Sequence, residues 1–281
     1  MSRKIDEFRY TICPVGNASY ISDNKGFLRK GLEKYGVKAT RLQTLPFDRW
    51  NVHFNYEDDA LFREGGNIPP VWAKSRGAEP VLIGLTFLEQ GAYILARLDS
   101  PVNGVGQLRG KRVGLPVDRG IIIDFYAATV HHGFKTALEA KGVALDEVEF
   151  VRTDESPAHE KWEGQIGLSA IEALDSGIVE AVFADLTQAQ HLLDTGRYKP
   201  IYDLHANTDV VLPINNCYPN VLTVSKKLAA DAPEIVVEYV KQALLAAEWA
   251  KTNLPEVVEL FGRQMAATPG EVVNIHAPGF H

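Results

Sequence analysis

Apolar and polar positions along the chain switch repeatedly between short strand-like runs and helical stripes. "FRYTIC" reads as a strand, "SYISDNKGFLRKGLEKYG" as a helix closed by Gly36, and "VKATRLQTL" as a second strand. "NVHFNY" alternates, with Val52 and Phe54 on one face and Asn51, His53 and Asn55 on the other, the pattern of a half-buried strand. "PVLIGLTFL" is a continuous apolar run, as in a strand buried on both faces. "GAYILARLDS" is expected as a strand leading out of this unit.

A second alternating series follows "PVNGVGQLRGKRVGLP". It predicts a helix over Phe125–Lys141, the strand "VEFVRT", the helix "SAIEALDS", the strand "VEAVFAD", a helix from Leu186 to the turn at Gly196, and the strand "YKPIYDL". "YPNVLTVS" returns to strand character. Asp231 and Glu234 then have capping-box spacing, with Pro233 in the first turn of a helix that Asn253 and Pro255 stop. Strands alternating with helices give an α/β fold class. "PVNGVGQ" and "VVLPINN" have linker chemistry and bracket one complete series, so two lobes are expected: residues 1–98 plus 213–281, and residues 99–212. "DESPAHEKWEGQIG" (Asp154 to Gly167) is polar, broken by Pro and Gly, and carries one large apolar group, Trp162; it is expected to be a mobile lid.

Composition narrows the function classes. The 281 residues carry a net charge of −7, which argues against nucleic acid, where a basic face supplies most of the affinity. No apolar run approaches a membrane span of about 18–20 residues. "MSRKIDEFRYTI" has no signal-peptide core, so a cytoplasmic location is expected, or a periplasmic one if a leader has been removed. Two cysteines far apart form no disulfide framework, and neither "HH" at His131–His132 nor "HEKWE" at His159 has metal-ligand spacing. Neither a cofactor nor a metal is expected. The glycines of "GVGQLRG" precede a strand rather than follow one, the wrong place for a dinucleotide cradle.

Three places in the first series carry candidate chemistry. Cys13 stands at the carboxyl end of its strand, followed by a Pro, Gly and Asn loop; it is either a small buried hydrophobe or a reactive thiol. His53 lies on the polar face of "NVHFNY". In "FREGGNIPP", Arg63 precedes Gly65 and Gly66, which either let backbone N–H groups approach a ligand closely or form an ordinary turn with a solvated Arg, the reading favoured when the segment is taken alone. A thiol beside an imidazole and a guanidinium would have a lowered pKa. A guanidinium beside glycine amides suits a small oxyanion such as a carboxylate, sulfinate or sulfonate.

"CPVGNA" with Cys13, "VHFNY" with His53 and "REGGNIPP" with Arg63 and Gly66 occur in that order. On these motifs the chain resembles the hydroxybiphenyl-sulfinate-desulfinase-like branch of the thiamine-pyrimidine-synthase-like family, relatives of the periplasmic sulfonate- and nitrate-binding proteins. The resemblance implies a two-lobed periplasmic-binding-protein-like (type II) fold with a ligand cleft between lobes. It implies cleavage of a carbon–sulfur bond with release of sulfite, a hydrolase-type activity. Cys13 would be the essential thiol, as proton donor or nucleophile, and His53 would hydrogen-bond to it. Arg63, Gly65 and Gly66 would hold the oxyanion, with Asn17 and Asn55 as further substrate contacts. Asp58 stands where the branch carries Gln. The alternative it implies is a solute-binding protein of an ABC importer of the sulfonate, nitrate or thiamine-precursor type, whose partner would be a permease, or a cytoplasmic ligand-binding protein. No cysteine-rich iron motif is present, which disfavours the pyrimidine synthase itself. On either reading the partner is a small oxyanionic organic compound.

Overall fold

The computed structural model describes residues 5–87, 91–155, 167–206, 214–216 and 218–276. The lid expected at Asp154–Gly167 lies largely outside them, as does Cys217. In chain order, the first series comprises β1 (Glu7–Ile12), α1 (Ala18–Asn24), α2 (Phe27–Glu33), β2 (Lys38–Arg41), α3 (Val52–Asn55), β3 (Leu61–Gly66), α4 (Ile68–Ser75) and β4 (Pro80–Thr86). The second comprises β5 (Ala92–Arg97), β6 (Arg112–Val117), α5 (Phe125–Glu139), β7 (Glu149–Asp154), α6 (Leu168–Asp175), β8 (Val182–Asp185), α7 (Leu186–Asp194) and β9 (Tyr198–Asp203). Then come β10 (Asn220–Ser225), α8 (Lys226–Asp231), α9 (Pro233–Ala250), α10 (Leu254–Met265) and α11 (Pro269–His276).

The chain forms two compact units, each built from two stretches of sequence. The first joins residues 5–87 to Asn216–Met265; the second runs from residue 91 to Asn215 and takes in α11. The expected boundary near residue 98 therefore moves ahead of β5. That strand pairs with β8 and β9 on its two sides, so its hydrogen bonds tie it to the second unit. There β8-β5-β9 form an antiparallel sheet, and the parallel pair β6-β7 joins it through a bridge between Val113 and Ala181. Phe134 of α5 packs with Ile94, Val113 and Phe183 in one core cluster, while α6 contributes Ile171 and Leu174 to another.

The first unit holds a five-stranded sheet in the order β2-β1-β3-β10-β4. β1 runs parallel to β2 and β3, and β10 inserts antiparallel between β3 and β4. β3 is buried along its whole length, and its alternation divides the unit. Phe62 stacks on Tyr239 of α9 at 4.3 Å between ring centroids, with Phe8 of β1 at 5.1 Å from Phe62. On the other face Leu61 packs with Tyr56 and with Ala73 of α4, and Arg63 and Gly65 follow it by strand period.

Several expected elements differ. "NVHFNY" is not a strand: a 3-10 run over Phe47–Asn51 leads into the single helical turn α3, closed by Tyr56 in the left-handed region (φ 59°) and its N–H to Val52 O. His53 and Phe54 are both buried there, which a half-buried strand would not allow. "REGG" is not a turn but the end of β3, and the helix-starting prolines of "IPP" open α4. The long first helix breaks into α1 and α2 at Gly26, whose φ of 76° only glycine adopts cheaply. β2 stops at Arg41 and a 3-10 turn, Leu42–Thr44, replaces the rest of "VKATRLQTL". β4 is an edge strand rather than a doubly buried one, with Leu82 55% and Leu85 52% exposed, because β10 takes the inner position. The expected capping box does not form: Asp231 ends α8 and pairs with Lys227, and Ala232 precedes α9 without a side-chain cap.

Candidate active site

Cys13 follows β1 directly, and its backbone is held on both sides. Its N–H donates to Glu64 O at 3.0 Å, and its carbonyl accepts from Val15 N at 2.9 Å and Gln264 Nε2 at 3.0 Å. Gln264 also accepts from Gly16 N at 3.1 Å, so one side chain of α10 fixes the loop after Cys13. The partly buried thiol lies against Gly65: a β-carbon added there would stand 2.2 Å from Sγ. The Gly66 N–H is directed at the sulfur, and the Arg63 guanidinium acts on it electrostatically.

Arg63 is 1% exposed. Its Nε donates to His53 O at 3.1 Å and its Nη1 to Gly66 O at 2.8 Å. Tyr56, whose hydroxyl is 2.6 Å from Thr223 Oγ1, faces the same guanidinium. Nη2 borders the space over Gly65, 3.3 Å from where a β-carbon would be. Among the described residues no carboxylate comes within 4.0 Å of Arg63, and Glu64 points to the opposite face of β3. A buried guanidinium without a counter-ion carries a large desolvation cost, which a bound anion would offset.

His53 connects to β1 rather than standing on a strand of its own. Its Nδ1 is 3.1 Å from Thr11 Oγ1, which also accepts from Gln43 Nε2 at 3.2 Å. A hydroxyl that accepts from Gln43 can still either donate to Nδ1 or accept from it, so this contact fits either neutral tautomer of His53. Burial, aided by Arg63, holds the imidazole well below its ordinary pKa, so it is neutral. Burial likewise pushes the Cys13 thiol up, against the opposing pull of Arg63 and the Gly66 amide. The expected lowered thiol pKa is thus corrected. The site holds a neutral thiol and a neutral imidazole beside one buried cation, an arrangement suited to giving a proton away rather than to a standing thiolate.

The remaining expected contacts separate. Asn17 caps α1, accepting from Tyr20 N at 2.9 Å, and its Nδ2 is buried without a hydrogen-bond partner. Asn55 is not gathered with Cys13: it accepts from Glu57 N at 3.0 Å and lines a separate depression with Arg9, Asp48 and Asp58. Asp58 pairs with Arg9 there and accepts from Ala60 N, so the residue that departs from the desulfinase pattern serves an ion pair of this chain. Gly66 is confined by Asn216, whose Oδ1 would stand 1.9 Å from an added β-carbon. Thr11, Gln43, Tyr56 and Gln264 escaped the sequence reading. The one visible signal was Gln264, a polar residue on the buried stripe of Val257, Leu260, Phe261 and Met265. Among the described residues no group of three or more His, Cys, Asp or Glu could hold a metal ion.

No protein-family model matches the chain. The 2'-hydroxybiphenyl-2-sulfinate desulfinase of Rhodococcus erythropolis is 28% identical over 302 residues, covering 95% of this chain and 78% of that protein. A solved cysteine-to-serine variant of the desulfurization enzyme DSZB in complex with biphenyl-2-sulfinic acid matches with a TM-score of 0.78 at 26% identity, over 98% of this chain and 85% of that one. The periplasmic aliphatic sulphonate binding protein SsuA of Escherichia coli matches with a TM-score of 0.72 at 14% identity, over 96% of this chain and 77% of its own. The resemblance read from three short motifs therefore extends over nearly the whole chain, and the fold is the periplasmic-binding-protein-like one.

Proposed function

We propose that this protein is a Cys13-dependent desulfinase that cleaves the carbon–sulfur bond of a small organic sulfinate and releases sulfite. The observation that carries the reading is Arg63: a fully buried guanidinium, unpaired with any described carboxylate, bordering the same space as the Cys13 sulfur. The likeness to the desulfinase supports the reaction class. The sulfinate oxygens bind at the Arg63 guanidinium on its Nη2 side, with Gly65 leaving room beside the thiol. Cys13 gives its proton to the carbon that bears sulfur; the carbon–sulfur electron pair forms the new C–H bond, and sulfur dioxide departs. Water adds to it, giving hydrogen sulfite and a proton; the Cys13 thiolate takes up a proton in turn, which makes the overall reaction a hydrolysis. His53, neutral and fixed through Thr11, holds Arg63 in place by its backbone carbonyl.

Sulfite release from a panel of aryl and alkyl sulfinates tests the proposal, with turnover expected for at least one member and none for the matching sulfonates. A second reading, an oxyanion-binding protein without chemistry, has one observation in its favour: the fold is shared with sulfonate-binding proteins. It predicts tight sulfonate binding, no sulfite from any sulfinate, and an ABC permease as partner. Among the described residues no helix is long and apolar enough to cross a membrane.

A further inference from the structure

β1 outruns the strand beside it. β2 ends at Arg41, whose partner is Tyr10, so the carbonyl of Ile12 lies past the last pairing with β2. A buried backbone carbonyl needs a donor, and here side-chain amides supply it. Gln43, in the 3-10 turn after β2, donates its Nε2 to Ile12 O at 3.0 Å and to Thr11 Oγ1 at 3.2 Å. Gln264 of α10 donates its Nε2 to Cys13 O at 3.0 Å. The peptide groups on the two sides of the Cys13 α-carbon thus each accept a bond from a glutamine outside the motifs.

Gln264 holds the loop a second time. Its Oε1 accepts from Gly16 N at 3.1 Å, and Gly16 is buried with a φ of 60°, a left-handed conformation that glycine adopts cheaply. Gln264 is 9% exposed and stands on the stripe that α10 buries through Val257, Leu260, Phe261 and Met265. An amide on such a stripe costs free energy unless both its ends are bonded, and both are. Packing alone would be met by Leu or Met at this position. The loop needs one donor and one acceptor, which Gln carries on a single side chain. Arg63 is held separately, by His53 O and Gly66 O, so the glutamines bear on the thiol and not on the anion site.

We propose that Gln264, seconded by Gln43, is a positioning residue for the reaction: an amide clamp on the Cys13 backbone that keeps the thiol against Gly65. The part of the proposal that concerns rate rests on the desulfinase reading. Each glutamine acts through the backbone rather than on sulfur. Without Gln264 the buried Gly16 N–H loses its acceptor, the loop turns to satisfy it, and the sulfur leaves its place beside Gly65 and Arg63 Nη2. Chemistry then suffers while sulfinate binding at Arg63 persists. A helix from the far end of the first unit is in this way part of the machinery that sets the thiol.

The test compares the wild type with Gln264→Met, which keeps the volume and loses both bonds, and with Gln264→Glu, which keeps the shape and loses the donor. In Gln264→Met, kcat for sulfite release should fall about tenfold to a hundredfold with KM unchanged. Iodoacetamide should alkylate its Cys13 faster than that of the wild type, read on the Cys13 peptide by mass spectrometry. Gln43→Met should lower kcat in the same direction. Gln264→Glu should recover toward the wild-type rate as pH falls to about 5, because a protonated carboxyl restores the donor to Cys13 O; a packing role would not respond to pH. Hydrogen exchange of the wild type needs no variant: the Gly16 N–H should exchange slowly. Wild-type kcat or wild-type alkylation in Gln264→Met, a Gln264→Glu deficit that is the same at every pH, or rapid exchange at Gly16 overturns the proposal. If the wild type releases no sulfite from any sulfinate while Gln264→Met still alters Cys13 alkylation, the clamp stands and the desulfinase reading falls.

Discussion

Gly65→Ala perturbs the site by a single methyl group whose position is known. That methyl would stand 2.2 Å from Cys13 Sγ, 3.2 Å from Cys13 Cβ and 3.3 Å from Arg63 Nη2. Ordinary contact between such atoms is about 3.5–4.0 Å, so the sulfur must retreat by about 1.5 Å. The Cys13 backbone cannot yield easily, since Glu64, Val15 and Gln264 hold it. Rotation about χ1 is the response left, and it takes the sulfur off the Gly66 amide. Overpacking of this kind costs about 1–3 kcal/mol of stability, leaving the protein folded. A reacting atom misplaced by about 1 Å costs on the order of a hundredfold in rate. Steady-state sulfite release should therefore fall about a hundredfold in kcat, and calorimetric affinity for a sulfonate analogue should fall too, because the methyl enters the space beside Arg63 Nη2. A Gly65→Ala protein with wild-type kcat would refute the placement of the thiol against Gly65.

Arg63→Ala removes the buried cation and should weaken binding of a sulfinate or sulfonate by about 2–5 kcal/mol, read by calorimetry; equal affinity would remove Arg63 from the anion site. His53, depressed well below its ordinary value, contributes stability that is present above pH 6.5 and lost as pH falls. NMR of its ring should show a neutral imidazole at its ordinary midpoint of pH 6.5, and an inflection there would contradict its burial. Glu64 has the opposite sign: raised from 4.5 to about 7, it contributes stability that is lost as pH rises between those values. Glu64→Gln should be more stable than the wild type above pH 7 by about 3 kcal/mol in urea titrations, and equally stable at pH 4.

Cys13 was legible because an apolar run meets turn chemistry there, and a strand end in an α/β fold is where ligands gather. His53 was found on the wrong element. A stretch as short as α3 cannot separate a period of two from one of 3.6, and the preceding 3-10 run from Phe47 left no helical stripe to read. Arg63 was read into a turn because paired glycines signal one. In β3 they serve a different need, the close approach of Cys13 to Gly65 and of Asn216 to Gly66. Charge chemistry was the least legible. Imidazole and guanidinium near a thiol argue for a thiolate on paper, yet burial of all three groups outweighs the attraction and keeps both thiol and imidazole neutral. Nothing local to "PVLIGLTFL" reveals that β10, supplied from far downstream, will take the inner position and leave β4 at the edge.

The claim that Cys13 is the proton donor of a carbon–sulfur cleavage is tested most directly by sulfite release at saturating sulfinate, measured side by side for the wild type and Cys13→Ser. Serine keeps the shape of the site and the Gly66 contact but binds its proton several units more tightly. The account predicts sulfite from the wild type and none above background from Cys13→Ser at full sulfinate occupancy. Equal release by the two proteins, or none by either, would contradict it.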